Sequence, residues 1–428
     1  MNQASRKVQR TYLVLLLFNT LAASLIWGIN TLFLLDAGLN NIEAFAANAF
    51  FTAGFVIFEI PTGVVADLRG RRTSYLLGAV TLIIATLLYL LMWKIRAPFW
   101  AWALSSILLG LGFTFFSGAV EAWLVDALAA SGFKERLEAV LAKGEIVEGA
   151  AMLSGSVAGG LLAQATNLGV PYLLRAGMLV LTFVLAFLLM KDLGFTPASG
   201  KSPFSEIKGI VRASIDHGLR YRPVRWIMLA APFTGGVTIY AFYAMQPYLL
   251  ELYGDKTAYG VAGLAAAIVA GAQIGGGLLV PLIGRIFARR TSVLLACEAL
   301  SVLVLLIVGL VPNFWAVVSL LVLWGLMFAA MMPIRQAYLN ALITSEQRAT
   351  VLSFDSLFGS TGGVVIQPVL GKAADVWGYP VSYIFSAGFQ VLAIPFTWLA
   401  RREEAGPDFN HTPPAGEQEE SSIQGRSE

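Results

Sequence analysis

The chain has 428 residues, of which 57% are hydrophobic and only 13% are charged, whereas about 25% of the residues of a soluble domain carry a charge. So few charged side chains cannot cover a water-facing surface, which excludes a soluble globular protein and predicts an all-α integral membrane protein. The single cysteine, Cys297, excludes an intrachain disulfide framework.

The N-terminal segment resembles a signal peptide only in its positive charge. The apolar run after it, Thr11 to Leu35, is longer than the roughly 7–15 residues of a signal-peptide core, and no small-residue cleavage site follows. We therefore predict a cytoplasmic N-terminal segment over residues 1–10, followed by a first membrane-spanning helix.

Further apolar runs along the chain predict twelve spans, because about 20 apolar residues cross a bilayer as a helix. We number them span 1 to span 12. The first six form a predicted bundle over 11–191, with bounds 11–36, 42–66, 73–93, 98–128, 138–165 and 171–191. The last six form a second bundle over 224–402, with bounds 224–252, 257–284, 291–311, 313–343, 348–375 and 380–401. A cytoplasmic central loop with an amphipathic surface helix is predicted over 192–223, and a disordered cytoplasmic tail over 403–428.

The distribution of Lys and Arg predicts the orientation in the membrane. With the N-terminus inside, 23 of the 29 basic residues fall on cytoplasmic segments. The outside receives Lys94, Arg96, Lys256, Lys372 and, by the same assignment, Arg175. Both termini are therefore expected in the cytoplasm, and the protein in the inner or plasma membrane of the cell.

The two predicted bundles carry matching sequence fragments. Arg71 to Ser74, with the sequence RRTS, returns 218 residues later as Arg289 to Ser292, and four weaker matches follow at offsets of 211 to 215. Two like-oriented six-helix halves related by a pseudo-twofold axis are the plan of one class of transporter, whose path lies between the halves.

The loop after span 2 is where the resemblance to a known family becomes specific. Its pattern, Gly63-x-x-x-Asp67-x-x-Gly70-Arg71-Arg72, resembles the signature of the major facilitator superfamily, in the position that the family gives it. The resemblance covers residues 11 to 401. It implies a conformational latch in which Asp67 and Arg71 hold the N-terminal half against the inner end of span 11, completed by an acidic residue at the inner end of span 4, where Asp126 stands. The second copy of the loop departs from the pattern, with Arg285 and Ala288 where the first has Asp67 and Gly70. Charges that only set the topology are the alternative, and Arg289 and Arg290 suit it better.

Span 5 resembles the antiporter signature of the same family. Gly155, Gly159 and Gly160 match its small positions, although Ser156 replaces a proline, and small residues let helices pack closely. This resemblance favours efflux over uptake. Proton-coupled drug antiporters also place an arginine in the middle of span 4, where this chain has Ile107.

Six ionisable residues are predicted in one layer about 10–15 Å from the inner ends of the spans. They are Glu59, Glu121, Glu145, Glu148, Arg335 and Asp355. Charges inside a membrane are costly, and they are usually paired or functional. Burial favours the neutral form of a carboxylate, so Glu59 or Glu121 could take up a proton near neutral pH.

One hypothesis joins two members of this layer across the halves. Glu121 and Arg335 are equivalent under the repeat, so their opposite charges could form an inner gate that a proton opens. In the alternative, the charges pair within one half, Arg335 with Asp355 and Lys143 with Glu145 or Glu148.

Polar and aromatic residues of spans 1 and 7 are the candidates for a substrate cavity: Asn19, Trp27, Asn30, Tyr240, Tyr243 and Gln246. An aromatic cavity with few fixed charges suits amphipathic or lipophilic molecules. The sequence thus predicts a secondary active transporter that works by alternating access, with proton-coupled efflux of such molecules as the favoured function. A proton-coupled importer, a lysolipid transporter and a transport-dead receptor or scaffold are the alternatives.

Catalysis and primary pumping are not expected. The sequence has no G-x-x-x-x-G-K-[ST] phosphate loop, and its two histidines, His217 and His411, fall outside the predicted spans. No metal, cofactor or nucleic acid is expected. The expected partners are a small molecule, protons and the lipid bilayer, and the expected state is a monomer.

Overall fold

The computed structural model describes residues 2–196, 208–209, 212 and 214–409. In this part of the chain, eleven helical segments are long and apolar enough to cross a membrane. The last, Thr350–Arg402, has 53 residues, or about 80 Å of helix, so it crosses a hydrocarbon core of about 30 Å twice. It folds back at Gly378, whose φ of 81° and ψ of 168° are not helical. The prediction of twelve spans is therefore confirmed.

The bounds of the spans follow the predicted order. In the N-terminal half they are Gln3–Trp27 with Asn30–Asp36 (span 1), Asn41–Arg69 (span 2), Arg71–Ile95 (span 3), Phe99–Thr114 with Ala119–Ala130 (span 4), Leu137–Ala165 (span 5) and Gly169–Leu189 (span 6). In the C-terminal half they are Arg222–Tyr253 (span 7), Tyr259–Ile286 (span 8), Arg290–Leu310 (span 9), Phe314–Leu342 (span 10), 345–377 (span 11) and 379–391 with Ile394–Arg402 (span 12). A π-helical turn, Ile215–Leu219, precedes span 7, and a 3-10 turn, Gly406–Asp408, follows span 12.

Span 1 begins eight residues before its predicted start, because Asn2 caps the helix. The Ser5 backbone N–H donates to the Asn2 side chain at 2.7 Å, which satisfies one of the amides that a helix start leaves free. Spans 1 and 4 are both interrupted. Span 1 breaks after Trp27, and span 4 breaks over residues 115–118, where Gly118 has a left-handed φ of 66°.

The two halves repeat one structural detail at the start of their third helix. The Arg72 backbone N–H donates to Asp192 Oδ1 at 2.9 Å, and the Thr291 backbone N–H donates to Asp408 Oδ1 at 2.8 Å. Each carboxylate comes just after the last span of its half and accepts from the free amides of a helix N-terminus. The internal repeat inferred from sequence therefore extends to contacts that the matching fragments did not include.

The predicted disordered tail starts too early. Residues 403–409 are ordered against the C-terminal half: Asp408 is only 1% exposed, the Thr291 hydroxyl donates to its Oδ2 at 2.7 Å, and the Arg289 guanidinium lies 4.7 Å from the centre of the Phe409 ring. Residues 410–428 lie outside the described residues, as does most of the predicted amphipathic helix of the central loop.

The assignment of Arg175 to the outside is wrong. Arg175 lies six residues after the start of span 6, about 9 Å along the helix, and is only 1% exposed. Its guanidinium is buried in the N-terminal bundle, where it donates to the Thr86 hydroxyl and the Ala22 carbonyl oxygen.

An even number of spans returns the chain to the side on which it starts. We call this the terminal side and the opposite one the distal side. Span 2 packs against span 11 and span 5 against span 8, and the described contacts between the halves lie in the middle and toward the distal ends of these helices. Among the described residues, no hydrogen bond, ion pair or close approach at a glycine joins the two halves at their terminal ends.

Candidate functional site

A cavity of about 420 Å³ lies between the halves near the middle of the spans. Span 1 contributes Trp27, whose ring meets that of Phe242 from span 7 edge-on, with the centroids 6.3 Å apart. The walls of the cavity are largely aromatic, and four of the other lining residues are polar. The eleven lining residues are Trp27, Phe51, Thr52, Phe55, Phe113, Thr238, Ile239, Phe242, Tyr243, Gln273 and Ser360. Apolar walls with a few polar groups are typical of sites for small organic molecules.

A narrow side pocket of about 40 Å³ adjoins this cavity. Four residues line both spaces: Trp27, Phe51, Phe113 and Tyr243. Beyond them the side pocket is lined by polar groups from the N-terminal half, including Asn30, Asn48, Tyr89 and Arg175.

Three of the six residues predicted for a substrate cavity line these spaces. Trp27 and Tyr243 line both, and Asn30 lines the side pocket. Asn19 is half-buried and lines neither.

Tyr240 and Gln246 are corrections to that prediction. Tyr240 is fully buried within the C-terminal half, where its hydroxyl bonds to Ser382 Oγ at 2.6 Å. Gln246 joins the halves instead of facing the cavity: its Nε2 donates to the Trp27 carbonyl oxygen at 2.7 Å, and its Oε1 accepts from the Thr31 backbone N–H at 3.0 Å. A helix has 3.6 residues per turn, so residues of span 7 at different positions in the turn face the cavity, the core of the C-terminal half or the N-terminal half.

A carboxylate of span 11 closes the distal side against the start of span 2. Asp375 accepts from the backbone N–H groups of Asn41, at 2.9 Å, and Ile42, at 2.8 Å. These amides lie in the first turn of span 2, where a negative charge also interacts favourably with the helix dipole. The Tyr379 hydroxyl donates to the Asn41 side chain in addition.

The glycines of span 5 allow close packing on two sides of the helix, and one of them, Gly160, packs against the other half. A Cβ on Gly155 or Gly159 would overlap Ser24 or the Leu25 backbone of span 1. A Cβ on Gly160 would lie 2.9 Å from Gly263 Cα across the interface of the halves. The predicted antiporter signature thus packs span 5 against span 1 with two glycines and against span 8 with the third.

The loop after span 2 is held by a residue that the sequence reasoning missed. Asp67 and Arg71 form an ion pair within the loop. Arg72 donates its backbone N–H to Asp192 and its Nη2 to the Phe187 carbonyl oxygen at 2.7 Å. Gly70 has a φ of 97°, and a Cβ there would overlap the Asp192 carboxylate, so both conformation and space require glycine.

Two other residues of the predicted latch are not engaged. Apart from the adjoining backbone of its own helix, no described atom lies within 4 Å of the position that a Cβ on Gly63 would take. Asp126 is half-buried, and its carboxylate makes no ion pair with another described residue. The loop is therefore structured by contacts within the N-terminal half, and none of the described hydrogen bonds or ion pairs joins it to the other half.

The predicted layer of intramembrane charges divides into three separate groups. In the first, Glu59 of span 2 accepts from the Ser117 hydroxyl at 2.6 Å through Oε1. Its second carboxylate oxygen, Oε2, is buried and has no hydrogen-bond partner among the described residues. Ser117 is available because span 4 breaks at this point.

The second group consists of acids only. Glu121 of span 4 and Glu145 and Glu148 of span 5 lie close enough to one another and to Tyr12 to interact electrostatically. Glu121 and Glu145 are exposed, and Glu148 is half-buried. Lys143 forms no ion pair with them in the described part of the chain.

The third group pairs within the C-terminal half. Arg335 donates two hydrogen bonds to Asp355, at 2.6 and 2.7 Å, and a third to the Ile227 carbonyl oxygen at 3.3 Å. Their side chains are only 13% and 6% exposed. Arg335 therefore takes the partner that the alternative hypothesis gave it, and no contact joins it to Glu121.

Comparison with known proteins identifies the family. The family model described as Major Facilitator Superfamily matches residues 12–288 and 259–424. The chain belongs to the Major Facilitator Superfamily. Its members are membrane transporters of small molecules and not enzymes, so this chain is a multi-pass membrane transporter.

Similar proteins share only a low sequence identity with this chain. It is 25% identical to the multidrug resistance protein MdtG of Salmonella typhimurium strain LT2 over 355 residues, which cover 79% of the chain and 80% of the relative. The solved nucleoside transporter NupG has a TM-score of 0.74 at 11% identity, with 93% of this chain and 99% of that chain covered. A bacterial homologue of the human lysosomal transporter Spinster, solved in an inward-facing, unoccupied conformation, has a TM-score of 0.69 at 15% identity. The match covers 94% of this chain and 98% of that chain.

Proposed function

We propose that the protein is a secondary active transporter that exports small amphipathic or lipophilic molecules from the cell, by alternating access and with protons as the coupling ion. One observation carries the proposal: an aromatic cavity of about 420 Å³ lies between the two halves, whose described hydrogen bonds to each other lie in the middle and on the distal side. A site that is reached from one side at a time needs this arrangement.

The orientation is part of the proposal. The excess of Lys and Arg on the terminal side puts that side in the cytoplasm, so this conformation is open inward. Residence in the cell membrane and a monomeric state belong to the same proposal.

In the outward-open state the loop after span 2 closes the terminal side. Asp67 then accepts from the free amides at the start of span 11, as Asp375 accepts from those of span 2 in the present state. Two features support this assignment. Gly63 faces open space here, as required of a residue that packs only in the other state, and Arg71 holds the Asp67 side chain in the loop.

Export is favoured by two observations. The cavity walls are aromatic, which suits lipophilic cargo, and the relatives at 25% identity are named multidrug resistance proteins. The glycine packing of span 5 against span 8 also agrees with the antiporter signature.

Proton coupling is assigned first to Glu59. It is half-buried on span 2, one of the helices that forms the moving interface, and one of its oxygens has no partner. A carboxylate in this position is neutral when protonated and must find a cation, a donor or water when it is charged. The cluster of Glu121, Glu145 and Glu148 is the second candidate, because it brings three acids of spans 4 and 5 together.

The inner gate between Glu121 and Arg335 requires Arg335 to leave Asp355. Two short hydrogen bonds in a buried site oppose that exchange. We therefore assign Arg335 and Asp355 to joining spans 10 and 11, and the charge-exchange variant Glu121→Arg with Arg335→Glu tests the gate. Transport restored relative to the single variants supports the gate, and no restoration removes it.

The function is tested with the purified protein in liposomes and an imposed pH gradient. The cargo is a panel of fluorescent amphipathic cations, anions and neutral compounds. Export predicts flux against the direction of proton flow, and Glu59→Gln is expected to lose the response to the gradient. Flux in the direction of the protons would identify an importer, flux without the gradient would remove proton coupling, and the absence of any flux would contradict transport of this class.

A further inference from the structure

The buried arginine of span 6 has no acidic partner among the described residues. Arg175 Nε donates to the Thr86 hydroxyl at 3.2 Å and Nη1 to the Ala22 carbonyl oxygen at 3.1 Å, while the guanidinium carbon lies 5.6 Å from the centre of the Phe113 ring. These partners are neutral. The ionisable side chains that act on it are the phenols of Tyr89, Tyr172 and Tyr243, so no described carboxylate balances its charge.

A charge at this depth in a membrane protein is costly unless a partner of opposite sign compensates it. The C-terminal half shows the usual solution, since Arg335 is held by both oxygens of Asp355. Two hydrogen bonds to neutral oxygens hold Arg175 in place but leave its Nη2 without a partner in the described chain. The compensating anion is therefore expected from outside the protein.

The space for such an anion is the side pocket. Arg175 lines it together with Asn48, which is 4% exposed and whose Nδ2 has no hydrogen-bond partner among the described residues. Asn48 is fixed by its other atom, because its Oδ1 accepts from Asn30 Nδ2 at 2.9 Å, and the Tyr172 hydroxyl donates to Asn30 Oδ1 at 2.9 Å. This chain of bonds leaves Asn48 a free donor in the pocket that contains the guanidinium.

The volume limits the group that fits. The side pocket offers about 40 Å³, and a bound water needs roughly 10–15 Å³ of such space. A planar group of three heavy atoms, such as a carboxylate, has a suitable size, and its oxygens accept from an arginine fork and an amide with charge-assisted bonds.

We propose that the side pocket binds the carboxylate of an amphipathic organic anion whose apolar part lies in the aromatic cavity. The proposal rests on the proposed function, because it takes that cavity as the cargo site, and it narrows the cargo from lipophilic molecules in general to lipophilic carboxylates. A small inorganic anion such as chloride is the other source of the same chemistry.

The test uses three ligands that share one ring system and differ in the head group: naphthylacetate, naphthylethylamine and naphthylethanol. Binding is measured at equilibrium on the full-length protein in nanodiscs. Naphthylacetate is expected to bind about tenfold or more tightly than the other two, because a desolvated charge-assisted pair replaces neutral contacts.

The variants separate a ligand site from a structural arginine. Arg175→Gln should bind the three ligands equally, whereas Arg175→Lys should retain part of the preference for the acid. Asn48→Asp keeps Arg175 but supplies the missing carboxylate, so it should abolish the preference for the acid, and it decides the test if Arg175→Gln does not fold. Arg136→Gln, the same change at a residue whose side chain is 86% exposed, should bind as the unaltered protein does.

Each outcome bears on one claim. If none of the three ligands binds the unaltered protein, the cavity is not the cargo site and the proposed function fails with it. If all three bind equally, or if the preference for the acid survives in Arg175→Gln, the cavity stands and the role of Arg175 is overturned. Stabilisation of the unaltered protein by chloride alone, without preference among the naphthalene ligands, would replace the carboxylate by an inorganic anion and overturn the cargo assignment.

Discussion

Removing the Asp375 carboxylate is expected to open the distal side. The carboxylate accepts two backbone N–H groups at the start of span 2, and a hydrogen bond to a charged group is worth about 1.5–3 kcal/mol when it is buried. Asp375 is exposed, so screening by water reduces the two bonds together to about 1–2 kcal/mol. Asp375→Ala should therefore raise the population that is open on the distal side by about 5–30-fold, and Asp375→Asn, which keeps one acceptor, by less.

The population is measured by the labelling rate of a cysteine placed behind the distal contacts. Thr31→Cys suits this purpose because Thr31 is 0% exposed, and the one native cysteine, Cys297, is first replaced by alanine. A membrane-impermeant maleimide is applied from the distal side. Asp255→Ala is the matched control: Asp255 is an acid on the distal side whose carboxylate accepts from the Thr257 hydroxyl and amide, and it binds no described residue of the other half. If Asp375→Ala labels at the rate of the control, the carboxylate does not close the distal side.

Three further substitutions test the packing. Gly160→Leu puts a side chain against the backbone of span 8, where a Cβ would lie 2.6 Å from the nearest atom. Overpacking costs about 1–3 kcal/mol, so this variant should prevent distal closure and reduce vesicle flux roughly tenfold. The control Gly177→Leu, whose side chain meets open space, should leave the flux unchanged. Arg335→Ala leaves Asp355 buried and unpaired at a cost of about 3–5 kcal/mol. The Tm of this single variant should therefore fall below that of the double variant Arg335→Ala, Asp355→Ala. Equal Tm values for the two variants would contradict the role of the ion pair. Gly70→Ala holds a side chain at a φ of 97°, which costs about 1–2 kcal/mol and should lower Tm measurably.

The twelve spans could be predicted from the sequence because the ability of a segment to cross a bilayer depends on its own composition and length, and not on contacts with other segments. The details that were missed depend on single side chains. Asn2 extends span 1 through one capping bond, and Asp408 orders the start of the tail by bonding to Thr291. Neither effect is visible as hydropathy, so a prediction based on apolar runs starts span 1 too late and ends the C-terminal half too early.

The cavity was harder to predict, because the direction of a side chain depends on how its helix is rotated in the bundle. Tyr240 and Tyr243 are neighbours on span 7, yet one bonds to Ser382 in the core of its half and the other lines the cavity. The sequence predicts Arg175 on the outer side of the membrane because this residue is near the end of its span. Only the packing of span 6 shows that its side chain is buried. In both cases the missing information is a long-range contact.

Asp375 could have been found, because its surroundings repeat a pattern already recognised. The spacing Gly371-x-x-x-Asp375-x-x-Gly378 equals that of Gly63, Asp67 and Gly70, and Gly378, like Gly70, follows the end of its helix with a positive φ. Gly371 shows what the first glycine does when such a motif is engaged, since a Cβ there would lie 3.0 Å from the Asn41 carbonyl oxygen of span 2.

Spans 2 and 11 are antiparallel neighbours that carry the same glycine–aspartate motif. This arrangement suits a transporter with two states of similar free energy. Span 11 carries Asp375 near its end, where it accepts from the first amides of span 2, and span 2 carries Asp67 near its own end with the same spacing to a glycine. In the proposed cycle one acid is engaged at a time, and each contributes about the same 1–2 kcal/mol. The losses and gains on switching then nearly cancel, so a difference of a few kcal/mol from a bound molecule or a proton is enough to move the population from one state to the other.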